Sequence, residues 1–234
     1  MNKESMLNKL AKQRIIYPAR KMGLLAASRW PYPVLSTLSD GGGRMYVDLR
    51  SSIGRAILVK GEFDQQVWKE IDVSLNPGGV FLDIGANVGY YSMLASNRIG
   101  STGVVYAFEI DPRPLRCLGK NAAMCQNQNI TLNKVAVGDH VGSGILVSEV
   151  DCGHSSVKSE GQGDKVDMLT LDYWLETSVE PDHIDVIKLD IEGGELIREG
   201  VPGQDKLLTF FTDVNYSTRF ALGVHSPTIV ATPN

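Results

Sequence analysis

Two patterns of apolar and polar positions divide the chain near residue 80. Before that point, Phe63, Val67, Ile71 and Leu75 recur every fourth position, which predicts one face of an amphipathic helix. Beyond it, short apolar runs alternate with helical segments, and this alternation predicts a parallel sheet with helices on both faces. The predicted strands are 80–84, 104–108, 130–137, 145–150, 184–189 and 207–212, and the predicted helices are 88–98, 112–125, 169–176 and 195–199.

Three segments follow from these patterns. Residues 1–39 are expected to be a basic leader, because prolines interrupt any long helix there. Residues 40–79 are expected to form a lead-in, with a hairpin of strands 45–49 and 55–60 ahead of the amphipathic helix. Residues 80–234 then form the sheet domain. Ligands of such sheets bind at the carboxyl ends of the strands, so the residues just after each strand carry the chemistry.

Charge narrows the range of partners. The chain has 234 residues and a net charge of -4, but its first 30 residues hold seven Lys and Arg against the single Glu4. The remainder is therefore acidic, and we expect no nucleic-acid partner. The basic N-terminus is expected to make at most weak contacts with a membrane surface or an acidic partner. Three cysteines without a CxxC pair, and no clear signal peptide, predict a cytoplasmic protein with reduced thiols.

A glycine turn follows the first strand of the sheet domain. It has the spacing D-x-G-x-x-x-G, formed by Asp83, Gly85 and Gly89, with Asn87 where a dinucleotide-binding turn needs glycine. A carboxylate at Asp83 would also repel a pyrophosphate. S-adenosylmethionine carries no phosphate, and its ammonium and sulfonium groups suit a carboxylate. The turn therefore predicts that these four residues bind S-adenosylmethionine, and it disfavours the alternative of a nicotinamide-dependent oxidoreductase.

Acidic residues also follow the next two strands. Glu109 lies 20 residues beyond Gly89, where a carboxylate accepts hydrogen bonds from a ribose diol, and Ile110 beside it is assigned to the same site. Asp111 precedes Pro112 and fits a helix N-cap. Asp139 follows the third strand and either meets the adenine edge or is a turn carboxylate.

Four segments in this order resemble the FkbM family of methyltransferases. They are 81–91 (FLDIGANVGYY), 105–109 (VYAFE), 136–139 (AVGD) and 187–193 (IKLDIEG), and the resemblance covers about residues 40–207. It implies the class I methyltransferase fold, a Rossmann-like, doubly wound and mostly parallel sheet, with S-adenosylmethionine as cofactor. The family also implies methylation of hydroxyl oxygens on polyketide-type metabolites or sugars, so the expected partner is a small-molecule or sugar acceptor.

A second acidic cluster follows the predicted strand 184–189. Asp190 and Glu192 are the candidate general bases, since an alcohol must lose its proton to attack a methyl group, and two close carboxylates raise one pKa toward a useful value. Asp190 is also expected to border the cofactor, and Lys188 to be either its ion-pair partner or independent of it. A divalent metal held by Asp190 is the alternative to a general base, but no metal site is expected, because no second pair of ligands has clear spacing. His154 is a general base, a group that orients the acceptor, or a solvated loop residue.

The C-terminal end departs from the family pattern. The resemblance implies a further strand, a helix and a final antiparallel hairpin after residue 207, yet only 18 residues follow Tyr216. We therefore expect a shortened C-terminal edge without room for the helix and both hairpin strands. A relative that binds the cofactor without catalysis is the remaining alternative.

Overall fold

The structure is a computed structural model that describes residues 28–39, 43–148, 155–178, 183–190, 216–222 and 227–233. None of the helices in these ranges is long and apolar enough to cross a membrane. The helices are α1 (Ser52–Lys60), α2 (Gln65–Ser74), α3 (Tyr90–Ile99), α4 (Pro112–Met124) and α5 (Leu171–Thr177). The strands are β1 (Val34–Thr37), β2 (Arg44–Val47), β3 (Val80–Ile84), β4 (Val104–Phe108), β5 (Ile130–Asn133), β6 (Ala136–Val137), β7 (Gly142–Val147), β8 (Ser156–Lys158), β9 (Asp164–Leu169), β10 (Val186–Leu189), β11 (Tyr216–Leu222) and β12 (Pro227–Pro233).

The main sheet has the strand order β11-β12-β10-β3-β4-β5. Strand β3 pairs in parallel with β4 on one side and with β10 on the other, and β4 pairs in parallel with β5. Helices α3 and α4 connect the consecutive parallel strands, so the carboxyl ends of all four parallel strands meet at one edge. The strand order changes direction between β3 and β10, which makes this the expected ligand edge. The predicted α/β, doubly wound and mostly parallel sheet is confirmed.

Alternate residues of each central strand are buried on opposite faces of the sheet. Phe81 of β3 and Val186 of β10 pack with apolar side chains of α1, α2 and α3 on one face. Leu82 and Ile187 pack with Trp174 of α5 on the other. Because the alternation is strict, the Asp83 side chain lies on the same face as Phe81, which is the face covered by α1, α2 and α3. This places a carboxylate in an apolar layer.

The predicted hairpin in the lead-in is wrong. Strand β2 pairs antiparallel with β1, which lies within the predicted leader, and residues 52–60 are helical. The Ser51 side chain caps α1 by accepting hydrogen bonds from the amides of Ile53 and Gly54, and Gly61 ends the helix in a left-handed conformation. A short segment such as 55–60, with four consecutive apolar residues, fits a strand or a buried helix equally well, and here the two caps decide for the helix.

The prediction that the C-terminal edge has no room for both hairpin strands is also wrong. Strands β11 and β12 pair antiparallel, and β12 also pairs antiparallel with β10. Two seven-residue strands separated by four residues fit into 216–233, so both hairpin strands have room. Val230 and Ala231 are buried in the core. The predicted helix 195–199 and strand 207–212 lie outside the described residues.

The predicted strand 130–137 is two strands that belong to different sheets. Strand β5 lies at the edge of the main sheet, whereas β6 pairs with β9 in a four-stranded sheet of order β6-β9-β7-β8. Residues between Asn133 and Ala136 leave the plane of the main sheet. The predicted strand 145–150 corresponds to β7 of this second sheet, and β9 leads directly into α5.

Candidate active site

The glycine turn joins β3 to α3 through three residues in the left-handed region. Gly85, Asn87 and Gly89 have φ values of 76°, 52° and 84°. The amides of Gly85 and Ala86 both donate to the carbonyl of Phe108, at 3.1 and 2.9 Å, which ties the turn to the end of β4. The turn is therefore the tight strand-to-helix connection that its sequence predicted, and it is held against the carboxyl end of β4.

Gly85 also lies against the segment after β10. A Cβ atom at this position would lie 1.9 Å from the carbonyl oxygen of Asp190, so no other residue fits without a backbone shift. The amide of Asp190 donates to the carbonyl of Ile84 at 3.0 Å. The Asp190 side chain is 24% exposed. The first glycine of the turn thus allows close contact between two strand ends and leaves a partly exposed carboxylate beside them.

Asp83 and Lys188 form a buried ion pair beneath this turn. They are direct neighbours in the register of β3 and β10, and Lys188 Nζ lies 3.0 Å from Asp83 Oδ1. Lys188 Nζ also donates to the carbonyl of Gly85 at 2.9 Å, and Ser92 Oγ donates to Asp83 Oδ2 at 2.6 Å. Burial lowers the pKa of Lys188, but Asp83 and Asp190 outweigh it and hold that pKa above its usual value. The charge of Asp83 is therefore balanced inside the protein.

Of the two carboxylates near Lys188, Asp83 is the hydrogen-bonded partner. Asp190 Oδ2 lies 3.9 Å from Lys188 Nζ, whereas Asp83 is at hydrogen-bond distance. The sequence left open whether Lys188 pairs with Asp190. The Lys188 ammonium group joins the glycine turn to the ends of β3 and β10. The cofactor role predicted for Asp83 stays a prediction.

Tyr91 covers this ion pair from α3. Its ring centroid lies 5.3 Å from Lys188 Nζ, and its hydroxyl donates to the carbonyl of Asp64 at 3.4 Å. Burial, followed by the charges of Asp64 and Asp190, raises the pKa of Tyr91 well above its usual value, so the hydroxyl stays protonated. The amphipathic helix α2 begins directly after Asp64, and the lead-in therefore contacts the site through this tyrosine.

Glu109 stands at the end of β4, where its carboxylate accepts three backbone hydrogen bonds. The amide of Asn87 donates to Oε2 at 2.8 Å, and the amides of Ile110 and Asp111 donate to Oε1 at 2.7 Å. Burial raises the pKa of Glu109 to about 7 against the effect of these three donors. The structure thus brings Glu109, Ile110 and Asn87 together, and their binding of the cofactor stays a prediction.

Asp111 caps α4, as expected from the proline after it. Its side chain accepts from the amide of Arg113 at 2.8 Å and forms a bidentate ion pair with the Arg113 guanidinium. Ser155 Oγ also donates to it at 2.5 Å. Burial raises the pKa of Asp111, but the bonds from Arg113 and Ser155 outweigh it and lower that pKa below its usual value. This network attaches the start of β8 to the end of β4.

The other predicted site residues are placed as follows. Asp139 is 94% exposed and pairs with His140 Nδ1 at 2.7 Å, just beyond β6 in the second sheet. Glu192 and His154 lie outside the described residues. Ser92, which donates to Asp83, was missed, although its place in the first turn of α3, directly after the glycine turn, is a signal that could have found it.

The strand order of the sheet, with its change of direction between β3 and β10, defines a Rossmann-like, doubly wound fold whose ligand edge carries carboxylates. Residues 83–198 match the family model described as Methyltransferase FkbM domain. The chain carries an FkbM methyltransferase domain and is an S-adenosylmethionine-dependent methyltransferase. The nicotinamide-dependent alternative is thereby set aside. No curated protein sequence matches the chain.

Solved structures of methyltransferases show distant likeness. Methyltransferase FkbM from Methylobacillus flagellatus KT is 13% identical, with a TM-score of 0.42 over 68% of this chain and 44% of that chain. The precorrin-6y C5,15-methyltransferase from Geobacter metallireducens GS-15 is 16% identical, with a TM-score of 0.43 over 80% and 95%. A SAM-dependent methyltransferase from Aquifex aeolicus is 17% identical, with a TM-score of 0.38 over 73% and 89%.

Proposed function

We propose that this methyltransferase acts on a hydroxyl oxygen of a small molecule or sugar, and that Asp190 or Glu192 accepts the hydroxyl proton. The observation that supports it is the contrast between the two carboxylates near Lys188. Asp83 is fully buried and engaged by Lys188 and Ser92, whereas Asp190 lies at the strand end with 24% of its side chain exposed. Asp190 can therefore meet an acceptor that enters from the edge.

The residues at this edge fit S-adenosylmethionine. The Glu109 carboxylate has the chemistry to accept hydrogen bonds from a ribose diol, and its three amide donors hold it in place. The partly exposed Asp190 suits a ligand with an ammonium and a sulfonium group. When bound, the cofactor supplies an electrophilic methyl group on its sulfonium. Asp83, Gly85, Asn87 and Gly89 of the turn, and Ile110 after β4, are proposed to line the cofactor site.

The buried ion pair has a positioning role in this proposal. Lys188 Nζ is held by Asp83 Oδ1 and the Gly85 carbonyl, and it stays 3.9 Å from Asp190 Oδ2. Lys188 therefore holds the end of β10, which Asp190 directly follows, against the glycine turn. Much of the work in a displacement at carbon is positioning, so a base fixed by two strand ends is suited to the task.

The general base can be tested separately from cofactor binding. We would measure methyl transfer from radiolabelled S-adenosylmethionine to a panel of hydroxylated metabolites and saccharides, with rRNA and tRNA as separate arms. Asp190→Asn and Glu192→Gln should each be compared with Asp172→Asn, a matched control on the exposed start of α5. Titration calorimetry with S-adenosylhomocysteine measures the cofactor site independently.

We expect transfer to a hydroxyl acceptor, as a methyl ether that resists mild base. Loss of the general base should reduce turnover about 10²- to 10⁴-fold in one of the two variants, while the affinity for S-adenosylhomocysteine changes little. Wild-type turnover in both variants would contradict the base assignment. Transfer to RNA, with none to the small-molecule panel, would contradict the proposed acceptor class.

A further inference from the structure

The basic N-terminal segment leads into a cluster of exposed apolar side chains. Trp30, Tyr32 and Leu35 are 53%, 64% and 37% exposed, and the rings of Trp30 and Tyr32 meet edge-on with their centroids 5.8 Å apart. Single exposed apolar side chains are ordinary on a protein surface, but three that lie within six residues of one another need a reason. They follow a segment that is rich in Lys and Arg, with Glu4 as its single acid.

The pairing of β1 with β2 sets where this cluster lies on the molecule. Met45 and Val47 of β2 are buried in the core, so one face of the two-stranded ribbon points inward. Tyr46 and its register partner Leu35 therefore belong to the outer face. Lys120 Nζ of α4 lies 4.8 Å from the centroid of the Tyr46 ring. The outer face of the ribbon thus adjoins α4.

Helix α4 adds positive charge beside the apolar cluster. Its sequence has three basic residues and no acidic one. Arg116 and Lys120 lie one turn apart and are both exposed, and Arg44 is exposed on the outer face of the ribbon. The chain beyond the N-terminal segment is acidic as a whole, so this face differs from it in the sign of its charge.

One buried side chain connects this face to the glycine turn. Asn121 Oδ1 accepts from the amide of Tyr46 at 2.6 Å, and Asn121 Nδ2 donates to the carbonyls of Tyr46 and Val88 at 2.9 and 2.7 Å. Val88 belongs to the turn between β3 and α3. A surface that binds through this face is therefore held close to the candidate active site.

We propose that this face docks the methyltransferase on a membrane surface that contains anionic lipids. The docking surface consists of three apolar and three basic side chains: Trp30, Tyr32, Leu35, Arg44, Arg116 and Lys120.

The chemistry of the docking surface matches a lipid interface. Trp and Tyr rings prefer the level of the headgroups, where one end of the ring is apolar and the other is hydrated. Basic side chains are attracted to anionic headgroups, and the Lys and Arg residues of the N-terminal segment add to this attraction. Single-stranded RNA is the other common polyanion, but its bases stack on open ring faces, which edge-on rings beside the aliphatic Leu35 provide poorly. The inference does not depend on the hydroxyl acceptor proposed above.

Vesicle flotation with the full chain tests the docking surface. The vesicles are pure phosphatidylcholine or an equal mixture of phosphatidylcholine and phosphatidylglycerol, at about 0.1 M and about 1 M salt. Trp30→Ala combined with Tyr32→Ala removes the two aromatic rings. Arg116→Gln combined with Lys120→Gln removes two charges from α4 and keeps residues that favour a helix.

Two control variants change the same kinds of side chain elsewhere. Tyr173→Ala removes an exposed ring from α5, on the opposite face of the main sheet, and Lys69→Gln removes an exposed charge from α2. Urea unfolding and calorimetry with S-adenosylhomocysteine show whether each variant keeps its fold and its cofactor site. A single-stranded oligoribonucleotide serves as a competing polyanion.

We expect the wild type to bind the mixed vesicles about tenfold more tightly than pure phosphatidylcholine at the lower salt, and to lose this preference at the higher salt. Each double variant should bind the mixed vesicles about tenfold more weakly, while both controls bind like the wild type. Equal binding of the wild type to the two kinds of vesicle, or binding to neither, would overturn the inference, and this comparison needs no variant. Wild-type binding by either double variant would also overturn it, as would tighter binding to the oligoribonucleotide than to the mixed vesicles.

Discussion

Replacing Lys188 by Met should cost the protein a large part of its stability. The Lys188 and Asp83 side chains are 2% and 0% exposed, so solvent does not screen their interaction. Met retains the apolar stem, but it leaves the Asp83 carboxylate buried with a hydrogen bond from Ser92 and without its counter-ion. Removing one partner of a buried pair typically costs about 3–5 kcal/mol. For a chain of 234 residues, this corresponds to a fall in Tm of about 6–20 °C.

Urea unfolding and thermal scanning measure this loss, and Arg98→Met is the matched control. Arg98 pairs with Asp72 at 2.9 Å, but the two side chains are 36% and 44% exposed, so its loss should cost at most about 1 kcal/mol. Adding Asp83→Asn to Lys188→Met removes the unbalanced charge and keeps an oxygen for Ser92. The double variant should therefore recover part of the loss.

The same ion pair predicts how stability depends on pH. The pKa of Lys188 is raised in the folded protein above 10.5, so its contribution is present at lower pH and is lost as the pH rises beyond that value. The wild type should therefore lose this contribution only in strong base, whereas Lys188→Met lacks it throughout. A Lys188→Met variant no less stable than Arg98→Met would refute the reasoning.

Three further predictions concern the turn, the ribose carboxylate and the lead-in. Affinity for S-adenosylhomocysteine should rise with pH through about 7, because the ionised Glu109 accepts hydroxyl hydrogen bonds better than the protonated form. Glu109→Gln should bind more weakly and without this pH dependence, and a flat wild-type profile in calorimetry would contradict the assignment. Gly85→Ala should weaken binding of S-adenosylhomocysteine and lower Tm, since its Cβ would lie 1.9 Å from the Asp190 carbonyl oxygen. The control Gly43→Ala is also at positive φ but has nothing within 4 Å, so it should cost only about 1–2 kcal/mol of stability. Equal effects of the two variants would argue against close contact at the turn. Ser51→Ala should cost about 1 kcal/mol of stability in urea unfolding with unchanged affinity for S-adenosylhomocysteine, and no loss would argue against the cap that begins α1.

The backbone of the site could be predicted because each part of it is local. Gly85, Asn87 and Gly89 specify a left-handed turn after an apolar strand, and Asp111 before Pro112 specifies a helix cap. The position of Glu109 follows from the length of one strand–helix–strand unit. Each of these features depends on residues close together in the sequence, and the alternation of elements then brings them to one edge.

The lead-in and the chain end could not be predicted in the same way. Residues 55–60 are apolar enough for a strand, and the caps at Ser51 and Gly61 outweigh this composition. The pairing of β12 with β10 depends on a contact between segments about 40 residues apart, which no local pattern encodes. The exit of the chain from the main sheet after Asn133 likewise depends on the second sheet, where β6 finds its partner β9.

By itself, the sequence determined the class of fold, the glycine turn, the carboxylate at the end of β4 and the family. Only the tertiary structure decided which acid Lys188 pairs with, since Asp83 and Asp190 are both near it and differ in distance by about one ångström. The physical reason is burial. Packing of α3 over β3 and β10 excludes water from Asp83 and so requires a counter-ion there, while Asp190, two residues beyond Lys188, stays partly exposed at the edge.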